Sequence, residues 1–271
     1  MAPVRVAVAG ALGKMGRALL KVGAADAQVK VVGAWERPQN PFLGKDSGEL
    51  VGVGRLEVPL AGSAGEALAR SQVAIDFTAP EATLKVLALA LQSKTALVIG
   101  TTGLEAKELA QIKAASRKIP IVLSSNYSVG VNILWKALAL VASITGDDYD
   151  VEVIEAHHHF KKDAPSGTAM TTAEVLARSL GRDLKDWARY GRPKGMVGAR
   201  DPREIGMHAV RGGDIVGDHT VLFAGAGERL EFKHQAHSRD MFALGAVRAA
   251  KWLIQKKKKP GLYSMADVLG F

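Results

Sequence analysis

The chain has no cysteine among its 271 residues, and only 6% of its residues are aromatic. Without cysteine there is no disulfide framework, no thiolate zinc site and no cysteine nucleophile. Basic and aromatic side chains are nowhere interleaved, which argues against a nucleic-acid-binding surface. The sequence therefore excludes thiol chemistry, and we expect no nucleic-acid partner.

The chain also lacks the marks of a secreted or membrane protein. Its first ten residues contain no basic segment followed by a long apolar core, so they predict a strand rather than a signal peptide. We expect no apolar run to approach the roughly 20 residues needed to cross a bilayer. These absences predict a cytoplasmic protein without a membrane partner.

The chain carries a formal net charge of +9, spread along its length apart from the lysine run of residues 256–259. We interpret that run as the solvated end of a helix before Pro260. An excess of positive charge favours the capture of small anionic ligands.

Apolar runs alternate with helical segments through the first half of the chain. The expected strands are Val4–Ala9, Val29–Trp35, Val73–Phe77, Ala96–Ile99 and Ile121–Ser124, and the expected helices are Met15–Ala25, Gly65–Arg70, Glu81–Gln92 and Glu105–Arg117. Apolar strands joined by helices indicate a parallel sheet covered on both faces. The predicted fold class is α/β, a Rossmann-like doubly wound parallel sheet. Residues 37–62 are expected to form a long loop.

The pattern changes near residue 129 and predicts a second domain. We expect helices at Asn132–Ile144 and Ala169–Leu180 and strands at Asp150–Ala156, Ile205–Arg211, Asp218–Phe223 and Arg229–Ala236. Residues 182–203 are expected to be loop. This order favours an α+β domain with a mostly open mixed sheet. A final helix, Met241–Gln255, is expected to return to the first domain.

A glycine-rich turn, Gly10–Gly16, lies between the first strand and the first helix. Its glycines permit a tight turn in which backbone N–H groups approach a pyrophosphate at a helix N-terminus. A purely structural turn would also use glycine. Glu36 ends the second strand, where an acid can bind a ribose 2′-OH, and the adjacent Arg37 can pair with a 2′-phosphate. The sequence thus favours binding of both NADH and NADPH over a simple surface ion pair.

Two further turns follow expected strands, at the strand ends where open α/β sheets bind ligands. They are Gly100–Gly103 and Ser124–Tyr127. Ordinary turns between strand and helix also use small polar residues. Because both stand in the expected place, we interpret them as lining the nicotinamide side of the cofactor.

Three successive histidines, residues 157–159, stand within the polar run Glu155–Ala169. One hypothesis is a metal site, completed by Asp163 or Glu155. Strand alternation would place His157 and His159 on one face and His158 on the other, which splits the three rings. Metal is therefore the minor hypothesis, and we expect no metal site.

The second hypothesis is acid–base chemistry on an anionic substrate. Histidine titrates near neutrality and can give or take a proton. Lys161 adds a second acid or a clamp for a carboxylate. Ser166–Thr168 open a helix, whose free N–H groups and hydroxyls can bind a carboxylate.

The polar run resembles the signature of the dihydrodipicolinate (4-hydroxy-tetrahydrodipicolinate) reductase family, and the resemblance covers nearly the whole chain. Motifs similar to those of the family occur in the right order at Gly10–Gly16, Asp76–Thr78, Ile99–Gly103, Asn126–Asn132, Glu155–Ala169 and Arg211–Gly217. An ordered set of this kind is far more specific than any single glycine turn.

The resemblance implies a homotetramer of two-domain subunits. Residues 1–128 and 239–271 would form the dinucleotide-binding domain, and residues 129–238 the substrate-binding and oligomerisation domain. It also implies an enzyme of diaminopimelate and lysine synthesis that uses NADPH or NADH. The hydride goes to C4 of a cyclic imine dicarboxylate, and the resulting enamine is then protonated.

The resemblance also implies a role for individual residues. His157 and Lys161 correspond to the proton-transfer groups, His158 to a substrate contact, and Ser166, Gly167 and Thr168 to the carboxylate-binding turn. The cofactor-binding positions are Gly10, Ala11, Leu12, Gly13, Lys14, Met15, Gly16, Glu36, Arg37, Gly100, Thr101, Thr102, Ser124, Ser125, Asn126 and Tyr127. Two alternatives stay open: a metal-dependent hydrolase built on His157–His159, and a non-enzymatic NAD(P)-sensing protein.

Overall fold

The computed structural model describes residues 2–271. The chain divides into two units, Met1–Val129 with Arg239–Phe271 in the first and Gly130–Ser238 in the second.

The first unit is built on seven parallel strands in the order β12-β6-β5-β4-β1-β2-β3. Its strands are β1 (Val4–Ala9), β2 (Val29–Trp35), β3 (Leu60–Ala61), β4 (Val73–Asp76), β5 (Ala96–Ile99), β6 (Pro120–Leu123) and β12 (Gly261–Tyr263). Its helices are α1 (Lys14–Ala25), α2 (Ser47–Val51), α3 (Gly65–Arg70), α4 (Pro80–Ser93), α5 (Ala106–Ala115), α9 (Asp240–Gln255) and α10 (Met265–Leu269). The predicted doubly wound sheet is confirmed.

Both faces of this sheet are buried, which explains why its strands are apolar throughout. Along β1, Val4, Val6 and Val8 enter one core with residues of α1 and α9. The intervening Ala7 and Ala9 enter the other core, which includes residues of α3, α4 and α5. Because successive side chains of a strand point to opposite faces, one short strand serves both cores.

The strand order reverses at β1, which lies between β2 and β4. Open α/β sheets bind ligands beyond the carboxyl ends of the strands at such a reversal. Gly10 and Thr78 meet there: a Cβ added at Gly10 would lie 2.9 Å from Cγ2 of Thr78. Thr78 is held by Asp76, whose carboxylate accepts its N–H at 2.9 Å and its hydroxyl at 2.6 Å.

The stretch of residues 37–62 is more ordered than a loop, so that expectation is wrong. It contains α2 and β3, and the carboxylate of Asp46 organises it. Asp46 accepts the N–H groups of Gly48 and Glu49 at the start of α2, and those of Leu56 and Val58 further along. One half-buried carboxylate orders this stretch through four backbone hydrogen bonds, which hydrophobic periodicity does not reveal.

The second unit is built on a mixed five-stranded sheet in the order β11-β10-β7-β9-β8. The predicted mixed sheet is confirmed. Its strands are β7 (Asp150–His157), β8 (Ala188–Tyr190), β9 (Ile205–Arg211), β10 (Asp218–Gly225) and β11 (Glu228–Gln235). Its helices are α6 (Val129–Thr145), which begins at the last residue of the first unit, α7 (Gly167–Ser179) and α8 (Leu184–Trp187). The short elements α8 and β8 lie in residues 182–203, which we expected to be loop.

The central strand β7 presents different residues to its two faces. Val151 and Val153 are buried in a core with residues of α6 and α7, whereas Glu152 and Ile154 are only half-buried. Glu155 and His157 continue the buried face. The buried face therefore changes from apolar to polar as the strand approaches its carboxyl end.

Helix α6 and the 3₁₀ turn that follows it, Val129–Asp148, form a 20-residue segment of mean hydropathy 1.5. By length and composition this segment could cross a bilayer, so the expectation that no apolar run approaches that length is wrong. A core helix passes the same test. Leu134, Leu138 and Ala142 of α6 belong to the core of the second unit.

Candidate functional site

The glycine-rich turn of the first unit has the geometry of an anion site. Gly10 ends β1 with a φ of +58°, a conformation that favours glycine. A Cβ added at Gly16 would overlap the carbonyl oxygen of Gly10, so this position accepts no side chain. No side chain caps the start of α1 at Gly13. Backbone N–H groups therefore line this end of α1, and the turn fits a dinucleotide pyrophosphate.

The predicted ribose acid lies against this turn. Glu36 follows β2, and its carboxylate accepts the N–H of Leu12 at 3.0 Å and that of Arg37 at 3.3 Å. The side chain of Arg37 is exposed. The acid and the arginine are thus both at the strand end where a nucleotide ribose is read.

The turn after β5 also approaches its neighbour closely. A Cβ added at Gly100 would overlap the ring of Phe77. The hydroxyl of Thr101 accepts a hydrogen bond from Thr83 at 2.7 Å and is buried, whereas Thr102 is exposed. Any cofactor contact of Thr101 is therefore limited to its main chain.

The turn after β6 is largely engaged within the protein. Ser124 donates its hydroxyl to the carbonyl of Asn126 at 2.8 Å, and Ser125 is exposed. Tyr127 is fully buried, with its hydroxyl 2.9 Å from the carbonyl of Ile99. Burial raises the pKa of Tyr127 well above its ordinary value. The phenol is part of the core of the first unit. The sequence pattern of the turn does not distinguish a buried tyrosine from an exposed one.

In the second unit the three histidines do not alternate as a strand. Strand β7 ends at His157, and a turn begins at His159. The N–H of His158 bonds to the carbonyl of Ile215, and that of His159 to Gly213. His157 is buried, His158 half-buried and His159 exposed, so the expectation of alternating faces is wrong beyond His157.

The sequence predicts Glu155 only as a possible metal ligand, but in the structure its carboxylate contacts three other residues. Its Oε2 lies 2.6 Å from Nδ1 of His157, and its Oε1 accepts the N–H of Ser166 at 3.0 Å. Both oxygens also accept from the guanidinium of Arg211 at 2.8 Å. The same guanidinium donates to the carbonyl of Asp163. Arg211 has no role in the sequence prediction beyond its place in a matching motif.

The Glu155 carboxyl is buried and ionised. Burial opposes ionisation, but the hydrogen bonds from Arg211, His157 and Ser166 outweigh it and hold the pKa of Glu155 below its ordinary value. A carboxylate surrounded by donors in this way accepts from all of them. The buried carboxylate of Glu155 is therefore fully hydrogen-bonded.

Lys161 forms a local ion pair with Asp163. Its ammonium donates to both carboxylate oxygens of Asp163, at 2.9 and 2.8 Å. The hydrogen bond from Lys161 lowers the pKa of Asp163. The lysine side chain is largely buried and that of Asp163 is 62% exposed. Asp163 thus faces solvent, where an anionic ligand can compete with it for the ammonium.

The predicted carboxylate turn forms the start of α7. Ser166 is its N-cap and accepts the N–H of Ala169 at 3.2 Å. The serine is buried, whereas Gly167 is exposed and Thr168 half-buried. The first N–H groups of α7 are therefore the part of this turn that a carboxylate can reach.

A fourth histidine, His219 of β10, belongs to the cluster and was not predicted. Its Nε2 lies 3.1 Å from the hydroxyl of Ser166, and its ring meets that of His157 edge-on at 5.3 Å between centroids. Burial, and secondarily the neighbouring His157, lower the pKa of His219 to about 4. The ring is therefore neutral at pH 7. His219 is 62 residues from His157 in the sequence. The pairing of β10 with β7 brings the two histidines together.

Across residues 2–271, no group of three or more histidine, aspartate or glutamate side chains is arranged to hold a metal ion. The cluster instead has the character of a proton-transfer site, with an imidazole, an ammonium and a helix start on one unit.

A doubly wound sheet with a glycine turn at a helix start, joined to an α+β unit carrying proton-transfer groups, is the architecture of two-domain nicotinamide-dependent oxidoreductases. The comparisons specify the family. Residues 4–127 match the model of the dihydrodipicolinate reductase N-terminus, and residues 130–269 match that of its C-terminus. The chain belongs to the dihydrodipicolinate reductase family.

Individual relatives agree over the full length. The chain is 52% identical over 267 residues to the 4-hydroxy-tetrahydrodipicolinate reductase of Alkalilimnicola ehrlichii, covering 98% of each. It is 46% identical over 268 residues to the enzyme of that name from Syntrophus aciditrophicus, covering 99% of each. It superimposes on dipicolinate-bound dihydrodipicolinate reductase from Paenisporosarcina sp. TG-14 with a TM-score of 0.77, 25% identity and 98% coverage of both chains.

Family membership makes the chain an NAD(P)H-dependent oxidoreductase of diaminopimelate and lysine biosynthesis, as the resemblance predicted. The metal-dependent hydrolase and the NAD(P)-sensing protein are not favoured.

Proposed function

We propose that the chain reduces 4-hydroxy-tetrahydrodipicolinate to tetrahydrodipicolinate, with His157 and Lys161 as its proton-transfer groups. The observation that carries the proposal is the His157–Glu155–Ser166 arrangement, in which one carboxylate contacts both an imidazole and the start of α7. Proton transfer and binding of an anionic ring substrate require groups of these two kinds close together.

The cofactor is assigned to the first unit. The turn of residues 10–16 holds the pyrophosphate through the first N–H groups of α1, which begins at Lys14. Glu36 and Arg37 contact the ribose of NADH or the 2′-phosphate of NADPH. The turns at residues 100–102 and 124–127 line the nicotinamide side. When bound, the nicotinamide supplies a hydride to C4 of the dehydrated substrate.

The substrate is assigned to the second unit. The N–H groups of Gly167 and Thr168 at the start of α7 bind one carboxylate, with Ser166 fixing the turn and His158 contacting the substrate. The ammonium of Lys161 leaves Asp163 for the dianionic ligand. As the hydride arrives, His157 or Lys161 gives a proton to the enamine, so the ring gains one hydride and one proton.

We further propose that the protein is a cytoplasmic homotetramer. The resemblance supports the assembly, and so do apolar side chains on the face of β7 and β9 opposite α6 and α7. Ile154 is half-exposed there, and Val210 is 49% exposed. Sedimentation equilibrium should give four times the chain mass, with the protein in the cytosolic fraction. A stable monomer, or recovery with membranes, would contradict this.

The activity is tested by mixing purified protein with NADPH and freshly generated substrate. Absorbance of the reduced nicotinamide should fall, and added chelator should have no effect. His157→Gln and Lys161→Met should each lower turnover by roughly 10²–10⁴-fold, because each removes a positioned acid. NADPH binding, followed by its fluorescence, should be unchanged in both. Near-normal turnover of His157→Gln would overturn the assignment of His157.

A further inference from the structure

Glu155 is surrounded by hydrogen-bond donors on every side. Its Oε2 faces Nδ1 of His157 and one nitrogen of Arg211, and its Oε1 faces the N–H of Ser166 and the other nitrogen of Arg211. The side chain is only 1% exposed. Buried carboxylates with this many charge-assisted bonds have a fixed position.

This environment settles which nitrogen of His157 carries the proton in the neutral ring. Arg211 and the N–H of Ser166 can only donate, so Glu155 is the acceptor throughout. Nδ1 must therefore be the protonated nitrogen, and Nε2 is left with its lone pair. The hydrogen bond made by one ring nitrogen determines the role of the other.

Gly217 lies beside Nε2 of His157. A Cβ added at Gly217 would lie 2.9 Å from this atom, so the absence of a side chain there leaves room beside it. His219 contacts the imidazole edge-on and is itself neutral at pH 7. Nε2 is thus the nitrogen of His157 that can exchange a proton with a ligand.

The second oxygen of Glu155 reaches a different element. Ser166 is the N-cap of α7, and its own N–H is fixed by Oε1. The hydroxyl of the same serine accepts the N–H of Ala169. The orientation of the first turn of α7 therefore depends on the carboxylate that also orients His157.

We propose that Glu155 is the positioning residue of this site, and that one carboxylate, clamped by Arg211, fixes both the tautomer of His157 and the start of α7. The proton-transfer group and the carboxylate-binding turn are thereby held in a fixed position relative to each other. The inference rests on the proposed function for its kinetic consequences, but its structural claim concerns the free protein alone.

The tautomer can be measured without substrate. In ¹⁵N-histidine-labelled protein, with His157 assigned by loss of its signals in His157→Gln, the neutral ring should show a protonated Nδ1 and a bare Nε2. In Glu155→Gln the amide NH₂ can donate to Nδ1, and the tautomer should reverse while the amide oxygen still accepts from Ser166. A wild-type ring protonated at Nε2 would overturn the inference.

The kinetic signature separates positioning from folding. Glu155→Gln should lower kcat by roughly 10²–10⁴-fold, the scale expected when a histidine is held in the wrong tautomer. Its KM for substrate should change less than about threefold because the Ser166 contact survives. Glu155→Ala loses both contacts and should also raise KM. Equal kcat in Glu155→Gln and wild type would contradict the proposal.

Glu152→Gln is the matched control, since Glu152 lies on the same strand and pairs with His208 and Arg200. It should leave the His157 tautomer and kcat unchanged. If the wild-type tautomer is as stated but no variant or wild-type protein turns over the substrate, the proposed function fails and the positioning claim stands. If wild type is active and the tautomer is reversed, only the positioning claim fails.

Discussion

Glu152 and Glu155 lie three residues apart on β7 and point to opposite faces of the sheet. Each of them contacts a histidine and an arginine, which gives an outer and an inner group. In the inner group, Glu155 contacts Nδ1 of His157 at 2.6 Å and is clamped by Arg211. In the outer group, Glu152 contacts Nε2 of His208 at 2.7 Å. There Arg200 donates to Glu152 at 2.9 Å. In both groups burial raises the carboxyl pKa, and the arginine and histidine contacts outweigh it and lower that pKa.

The difference lies in what else each carboxylate touches. In the inner group, the carboxylate of Glu155 also accepts the N–H of Ser166 at the start of α7. In the outer group the further contacts are made by the arginine: Arg200 donates to Asp150 and to the carbonyls of Val151 and Glu204. Arg200 therefore ties the segment before β9 to the start of the central strand β7. The same three residue types thus belong to the proposed proton-transfer site in one case and to a structural anchor in the other, and the difference lies in their neighbours.

The arginines give the largest expected contrast. Arg211→Met should lower kcat/KM by roughly 100-fold, because hydrogen bonds to a charged group are each worth about 1.5–3 kcal/mol and Glu155 would lose its clamp. Arg200→Met should keep kcat/KM within about twofold while lowering the melting temperature. Steady-state kinetics and thermal melts of both variants decide this. Equal losses of kcat/KM in Arg211→Met and Arg200→Met would contradict the different roles given to the two groups.

The glycines beside the two groups give a smaller contrast. A Cβ at Gly206 would overlap the carboxylate of Glu152, whereas one at Gly217 would only press on Nε2 of His157. Gly206→Ala should therefore cost up to about 3 kcal/mol of unfolding free energy through overpacking. Gly217→Ala should cost less stability but lower kcat about tenfold by displacing the ring. Urea unfolding and kinetics on the same samples are the measurements, and the reverse pattern would be inconsistent with these contacts.

The smallest expected effect concerns His219, the neutral ring beside the inner group. Its folded pKa of about 4 lies below its ordinary value of 6.5, so the unfolded chain binds its proton first as the pH falls. This group contributes full stability above pH 6.5 and loses it between about pH 6.5 and 4, which amounts to about 2 kcal/mol by pH 5.

The variant His219→Gln isolates this contribution. Its destabilisation relative to wild type, measured by urea unfolding, should be larger at pH 7 than at pH 5. A difference between wild type and His219→Gln that grows as the pH falls would have the wrong sign.

Much of the first unit could be predicted because its signals are local. Val4–Ala9, Val29–Trp35 and Ala96–Ile99 are strands at the predicted residues, since uninterrupted apolar runs bounded by turns have few other interpretations. The glycine turn is equally local, because a positive φ at Gly10 and close packing at Gly16 both require glycine. In contrast, the buried ring of Tyr127 could not be distinguished from an exposed turn residue.

The candidate site of the second unit was predicted only in part. Strand alternation places Glu155 beside His157, and this signal was available in the sequence. The pairing of Glu155 with Arg211 depends on the register of β7 against β9, and that of His157 with His219 on the register of β7 against β10. Neither register follows from local pattern. The predicted alternation of faces is wrong beyond His157, because β7 ends at that residue.

The most direct test of this account compares kcat for Glu155→Gln and Glu152→Gln in one NADPH-oxidation assay. Both substitutions replace a half-buried or buried glutamate on β7 that binds a histidine and an arginine. The account predicts a loss of roughly 10²-fold or more for Glu155→Gln and a change within about twofold for Glu152→Gln. Similar kcat values for the two variants would contradict it.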